Sequence, residues 1–85
     1  MIHRAEVAST VRELLLTSWP HRFAPDQLED HVSLGEEGLG LDSVEVAEFI
    51  LACEERLGAA DTEELFELLP LTIERVVEHF AFADA

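Results

Sequence analysis

The sequence predicts an all-α fold, and three observations carry that expectation. Apolar residues recur at helical spacing in three separate stretches. No stretch alternates convincingly at period two, so no sheet is expected. Prolines and glycines punctuate the chain between the periodic stretches, where helices have to stop.

The first helix is predicted over residues 4–18, because Val7, Val11, Leu14, Leu15 and Ser18 share one face. "WPHRFAP" ends it, since Pro20 and Pro25 do not fit a helix interior. A long loop over 19–42 follows, in which Leu28, Val32, Leu34 and Leu39 are expected to tuck into the core. A loop of this length in a small domain is often functional. Its glycine-rich "GEEG" stretch, Gly35 to Gly38, is expected to be mobile. The second helix spans 43–57 with Gly58 as its C-terminal stop. Asp61 and Glu64 have capping-box spacing, so a short helix over 62–68 is predicted, ended by Pro70. The last helix covers 72–80, with Thr72 as N-cap and Ile73, Val76, Val77 and Phe80 facing inward. The tail, 81–85, is expected to fray.

Composition narrows the function. With 85 residues the chain is one domain. A chain this short buries only about 60% of its unfolded surface. Apolar residues make up 48%, and their periodicity argues for a folded domain despite the acidity. There are 19 acidic and 5 basic residues, a formal net charge of -14. Such a surface repels the phosphate backbone, so nucleic acid is a poor partner. An anionic membrane is disfavoured for the same reason, whereas a basic protein partner is favoured. The longest apolar run, Phe49 to Cys53, is far short of the ~20 residues of a membrane span. The first ten residues lack the pattern of a secretory signal. The single cysteine permits no intramolecular disulfide, which fits a reduced, cytoplasmic setting. His3, His21, His31 and His79 show no ligand pairing, so no metal site is expected. A Ser-His-Asp hydrolase has little room for its pocket and oxyanion hole in such a domain.

The second helix carries two apolar stripes. With Val46 as origin, Phe49, Ile50, Cys53 and Leu57 fall within about 60° and form the core face. Cys53 is read there as a small buried hydrophobe. Val44, Ala47 and Leu51 fall at about 100° to 160°, beside Glu48 and Glu55 and edged by Glu54. That second strip reads as a docking surface. Asp42 and Ser43 stand at the helix start, and both are preferred N-cap residues. Asp42 and Glu45 have capping-box spacing. Gly38 and Gly40 can supply the turn into the helix.

The stretch "LGLDSVEVAEFILACEERLG" resembles the phosphopantetheine attachment region of acyl carrier proteins. Leu39 and Gly40 match the family's turn, Asp42-Ser43 its attachment pair, Val44 the following apolar residue, and Glu48 the glutamate five places after the serine. Glu54-Glu55 ahead of Leu57 and Gly58 also looks like the family, and the resemblance extends over nearly the whole chain. Gly38 stands where an acidic residue is frequent, Cys53 where a large aliphatic is usual, and "WPHRFAP" is longer and stiffer than is typical.

The resemblance implies a small four-helix bundle of acyl-carrier type, with three main helices and a short third one. It implies that Ser43 receives 4'-phosphopantetheine from coenzyme A, and that Asp42 orients the serine and contacts the transferase. It further implies a non-catalytic, discrete, monomeric carrier that holds acyl groups as thioesters, for polyketide or other secondary-metabolite assembly ahead of fatty acid synthesis. Implied partners are a phosphopantetheinyl transferase and acyltransferase, ketosynthase or acyl-activating enzymes with basic patches. Glu45, Glu48, Glu54 and Glu55 would steer those patches, while Val44, Ala47 and Leu51 would fill the apolar contact. An aminoacyl or peptidyl carrier and an arm-less helical interaction module stay open as alternatives.

Overall fold

The computed structural model describes residues 4–58, 63–67 and 70–83. Three α-helices are present: α1, Arg4–Ser18; α2, Ser43–Leu57; and α3, Ile73–Ala83. Two short 3-10 segments, Pro25–Gln27 and Glu63–Glu67, lie between them. No strand occurs among the described residues; an isolated antiparallel bridge joins Ser33 and Thr72.

Helix α1 packs against both α2 and α3. Val7, Val11 and Leu15 of α1 meet Phe49, Ile50 and Cys53 of α2 and Ile73, Val76, Val77 and Phe80 of α3 in one buried cluster. Leu28, Leu34 and Leu41 of the loop, Leu65 of the second 3-10 segment and Leu71 join that cluster, and no polar or charged residue is buried among those described. Leu14, Val46 and Leu57 lie half-buried at its margin, and Ser18 is exposed. At the end of α1 the inward position passes to Trp19, whose ring contacts Phe23 at 6.0 Å and Phe49 at 6.5 Å between centroids.

The long loop contains more structure than its sequence suggests. Pro25 opens a 3-10 turn, the helical position where a missing N–H costs least. Beyond it the backbone is sewn onto the start of α3. Leu34 N–H donates to the Leu71 carbonyl at 2.8 Å, Ile73 N–H to Val32 at 3.0 Å, and Glu74 N–H to Asp30 at 2.9 Å. Arg75 N–H donates to Thr72 Oγ1 at 3.2 Å, so Thr72 is the expected N-cap. The loop carbonyls thus satisfy N–H groups that a helix start leaves without intrahelical partners. Arg12 fastens the other side: its Nε donates to the Leu28 carbonyl at 2.7 Å, and its guanidinium pairs with Asp30.

The "GEEG" stretch forms a hydrogen-bonded turn. Gly38 and Gly40 both donate to the Gly35 carbonyl, and Leu39 donates to Ser33 at 2.8 Å. Gly38 permits this because its Cα hydrogen faces the Ser33 backbone; a Cβ there would sit 2.1 Å from the Ser33 oxygen.

Two expectations change. The short helix is a 3-10 segment, Glu63–Glu67, the tighter form that suits short connections. Asp61, Thr62 and Leu68 of that expectation lie outside the described residues. The last helix continues to Ala83, because no glycine or proline stops it and Ala81 still packs on the core. Residues 84 and 85 of the expected tail, and His3, lie outside the described residues.

Gly38→Ala is expected to cost about 2 kcal/mol or more in urea unfolding, since backbone must move to admit the methyl group. Gly35→Ala meets only the Ser33 Oγ at 3.7 Å and is expected to stay within about 0.5 kcal/mol of wild type.

Candidate functional site

The candidate site is built at the start of α2. Leu41 is 3% exposed and anchors the incoming chain, with its N–H donating to the Leu34 carbonyl at 3.0 Å. One residue earlier, Gly40 adopts φ +75, a turn conformation that suits glycine. Asp42 then serves as N-cap in extended backbone. Its Oδ1 accepts from Glu45 N–H at 2.8 Å, and Glu45 Oε1 accepts from Asp42 N–H at 3.0 Å. The capping box is therefore complete.

This geometry corrects the reading of Ser43 as a cap. Ser43 is the first residue inside the helix, and Asp42 alone does the capping. The Ser43 side chain is exposed, and its hydroxyl has no hydrogen-bond partner among the described residues. Without a neighbouring base it is an ordinary, weak nucleophile.

Ser43 also lies on the rim of a cleft of about 480 Å³. The walls come from Leu34 and Leu41 of the loop, Val46 of α2, Leu65 and Phe66 of the 3-10 segment, and Leu71. Glu36 and Glu37 border it on the loop side. The result is an apolar trough with a hydroxyl at one edge and carboxylates at another.

The second stripe of α2 faces outward as expected. Val44 is 64% exposed, Leu51 57%, and Ala47 is also exposed. Glu48 and Glu55 are exposed beside them. The other two carboxylates are placed differently. Glu45 is turned inward to Asp42 and Arg22, whose Nη1 donates to Glu45 Oε2 at 2.6 Å. Glu54 is half-buried next to Cys53. Cys53 itself is sealed in the core at 0% exposure. Burial pushes its thiol up from the ordinary 9.0 to about 12, and the Glu54 charge adds to the shift.

Two residues of the site escaped the sequence reading. Phe66 is 51% exposed at the cleft rim and enlarges the apolar surface near Ser43. Its neighbour Leu65 is buried, so a period count over this short segment could have placed Phe66 outside. Arg22 bonds across 23 positions to Glu45, and no local pattern signals such a contact.

No helix among the described residues is long and apolar enough to cross a membrane. Among those residues no group of three or more His, Cys, Asp or Glu side chains is placed to hold a metal ion. Comparison with protein-family models, curated proteins and solved structures returned no match.

Asp42→Ala is expected to cost about 1 kcal/mol in denaturant unfolding, while Ser43→Ala stays within about 0.5 kcal/mol, because only Asp42 caps. Cys53 is expected to resist alkylation at neutral pH in the native chain and to react once the chain is unfolded in urea. Its folded pKa is raised, so its contribution to stability is complete below pH 9.0 and is lost as pH rises towards about 12. Rapid modification of the native thiol would contradict its buried placement.

Proposed function

We propose that this chain is an acyl carrier that bears 4'-phosphopantetheine on Ser43. The observation that carries the proposal is the exposed, unpartnered Ser43 hydroxyl at the first turn of α2, on the rim of the apolar cleft. The all-helical architecture, with three α-helices, a long first loop and a short 3-10 segment before the last helix, supports the reading as a carrier bundle.

Ser43 fits the attachment. Its hydroxyl is accessible, no other side chain occupies it, and the capping box fixes the backbone on either side. In the proposed transfer, Ser43 Oγ attacks the pantetheine-side phosphorus of coenzyme A. The pyrophosphate bond breaks, adenosine bisphosphate leaves, and the serine proton passes to a base on the transferase. Asp42 holds the first turn in register and faces the transferase. When attached, the arm's terminal thiol carries acyl groups as thioesters.

This chain then binds and presents the cargo, and catalyses no step. The cleft lies in the size range of small-molecule sites and offers apolar walls to a short acyl chain. Val44, Ala47 and Leu51 form the apolar part of the docking face, and Glu48 and Glu55 its acidic part. Partners are a phosphopantetheinyl transferase and acyl-processing enzymes with basic patches, met by a monomeric carrier in the cytoplasm. Such contacts are small and transient, and their charge component weakens with salt. Polyketide or other secondary-metabolite assembly is favoured over fatty acid synthesis. An aminoacyl carrier uses the same attachment chemistry.

The exposed apolar strip also supports a second reading, an arm-less interaction module. The two are separated by incubating the chain with coenzyme A and a broad-specificity phosphopantetheinyl transferase, then measuring intact mass. The carrier gains one phosphopantetheine, and Ser43→Ala gains none while keeping its helical circular dichroism. An unmodified wild type with several such transferases would overturn the carrier reading. Partner binding that survives Ser43→Ala and needs no coenzyme A would favour the module.

A further inference from the structure

We infer that Arg22 is a positioning residue for Ser43, resting on the reading of Ser43 as the attachment site. Arg22 belongs to the "WPHRFAP" connection, outside the stretch that resembles the carrier motif. Its guanidinium nevertheless spans both flanks of the serine. Nη2 donates to the Gly40 carbonyl at 2.9 Å, three residues before Ser43. Nη1 donates to Glu45 Oε2 at 2.6 Å, two residues after it. The other oxygen of that carboxylate accepts from Asp42 N–H. One cation therefore braces the turn, the N-cap and the first helical turn together.

A solitary surface ion pair contributes little, because two long side chains must be ordered to make it. Arg22 is ordered in advance. Its own N–H donates to the Trp19 carbonyl at 3.1 Å. Its guanidinium lies 5.6 Å from the Phe23 ring centre. Phe23 packs edge-on against Trp19, and Trp19 contacts Phe49 in the core of α2. The stiff connection thus transmits the position of the core to the guanidinium. Two charge-assisted or carbonyl-directed bonds in fixed geometry hold better than a free pair. Arg22 touches neither the hydroxyl nor any reacting atom, so it acts through the backbone that aims Ser43. It also occupies Glu45, which shifts the docking charge outward to Glu48 and Glu55.

The test compares wild type, Arg22→Gln, Arg22→Lys and Glu45→Gln by two measurements: transferase labelling kinetics with coenzyme A, and amide hydrogen exchange at Asp42 and Glu45. Arg22→Gln is expected to lower labelling kcat/KM about fivefold, mainly through KM, as a fixed geometry becomes one of several. Exchange at the Asp42 and Glu45 amides is expected to quicken by about the same factor. Arg22→Lys should recover part of both, because lysine keeps the charge but not the fork. Glu45→Gln keeps an acceptor for Asp42 N–H and should reproduce the Arg22→Gln result, which covers the case that Arg22→Gln fails to fold. Wild-type labelling with Arg22→Gln and Glu45→Gln equally fast would overturn the assignment alone, whatever the exchange shows. A wild type that takes no label would overturn the carrier reading, and the assignment with it.

Discussion

The backbone pairing between the long loop and the start of α3 is the constraint on which the remaining geometry depends. No disulfide is available to hold the loop, since the chain has one cysteine. Three bonds, from Leu34, Ile73 and Glu74, join the segment around Asp30–Leu34 to the turn around Leu71–Glu74. The same bonds serve both sides: the loop gains a fixed path, and α3 gains partners for its first N–H groups. Leu34, 0% exposed, sits where that pairing passes into the core. From there Leu41 N–H reaches back to Leu34, so the loop's course sets where α2 begins. The cleft inherits its walls from the same strip, because Leu34, Leu41 and Leu71 all line it.

Local chemistry at the start of α2 divides the work between neighbours. Asp42 and Glu45 exchange hydrogen bonds and use up their capping capacity on each other. That reciprocity leaves Ser43 with no structural duty, so its hydroxyl is free for one imposed from outside. Had the serine been the cap, modification of its oxygen would have competed with helix stability. The acidic side chains divide similarly. Glu45 serves the fold through Arg22, whereas Glu48 and Glu55 face solvent next to Val44 and Leu51.

Much of this was legible in the sequence because it is periodic. The bounds of α1 and α2, the inward face of α3 and the exposed strip all follow from residues three and four apart. The capping box at Asp42 and Glu45 is equally local. What periodicity cannot carry is a bond between distant positions. Arg12 with Leu28, Arg22 with Glu45 and Ser33 with Thr72 each depend on how the helices come together. The hydrogen-bonded turn at "GEEG" is hidden for a related reason: glycine permits many turn geometries, and the close approach of the Ser33 backbone to Gly38 is not a local pattern. Asp42 and Ser43 both suit an N-cap by residue type, and only backbone geometry separates them.

The sealed thiol of Cys53 has a consequence for any thioester the chain would carry. Thiolates attack thioesters, and a nearby reactive cysteine can take over an acyl group and strand it. Cys53 lies one turn before the end of the helix that begins with Ser43, yet its sulfur is enclosed, and burial pushes its thiol up to about 12. A cargo hung from Ser43 would therefore meet no competing sulfur on its own bearer. Transacylation would be left wholly to the enzymes that dock, and the chain's one thiol would be spectator to all of it.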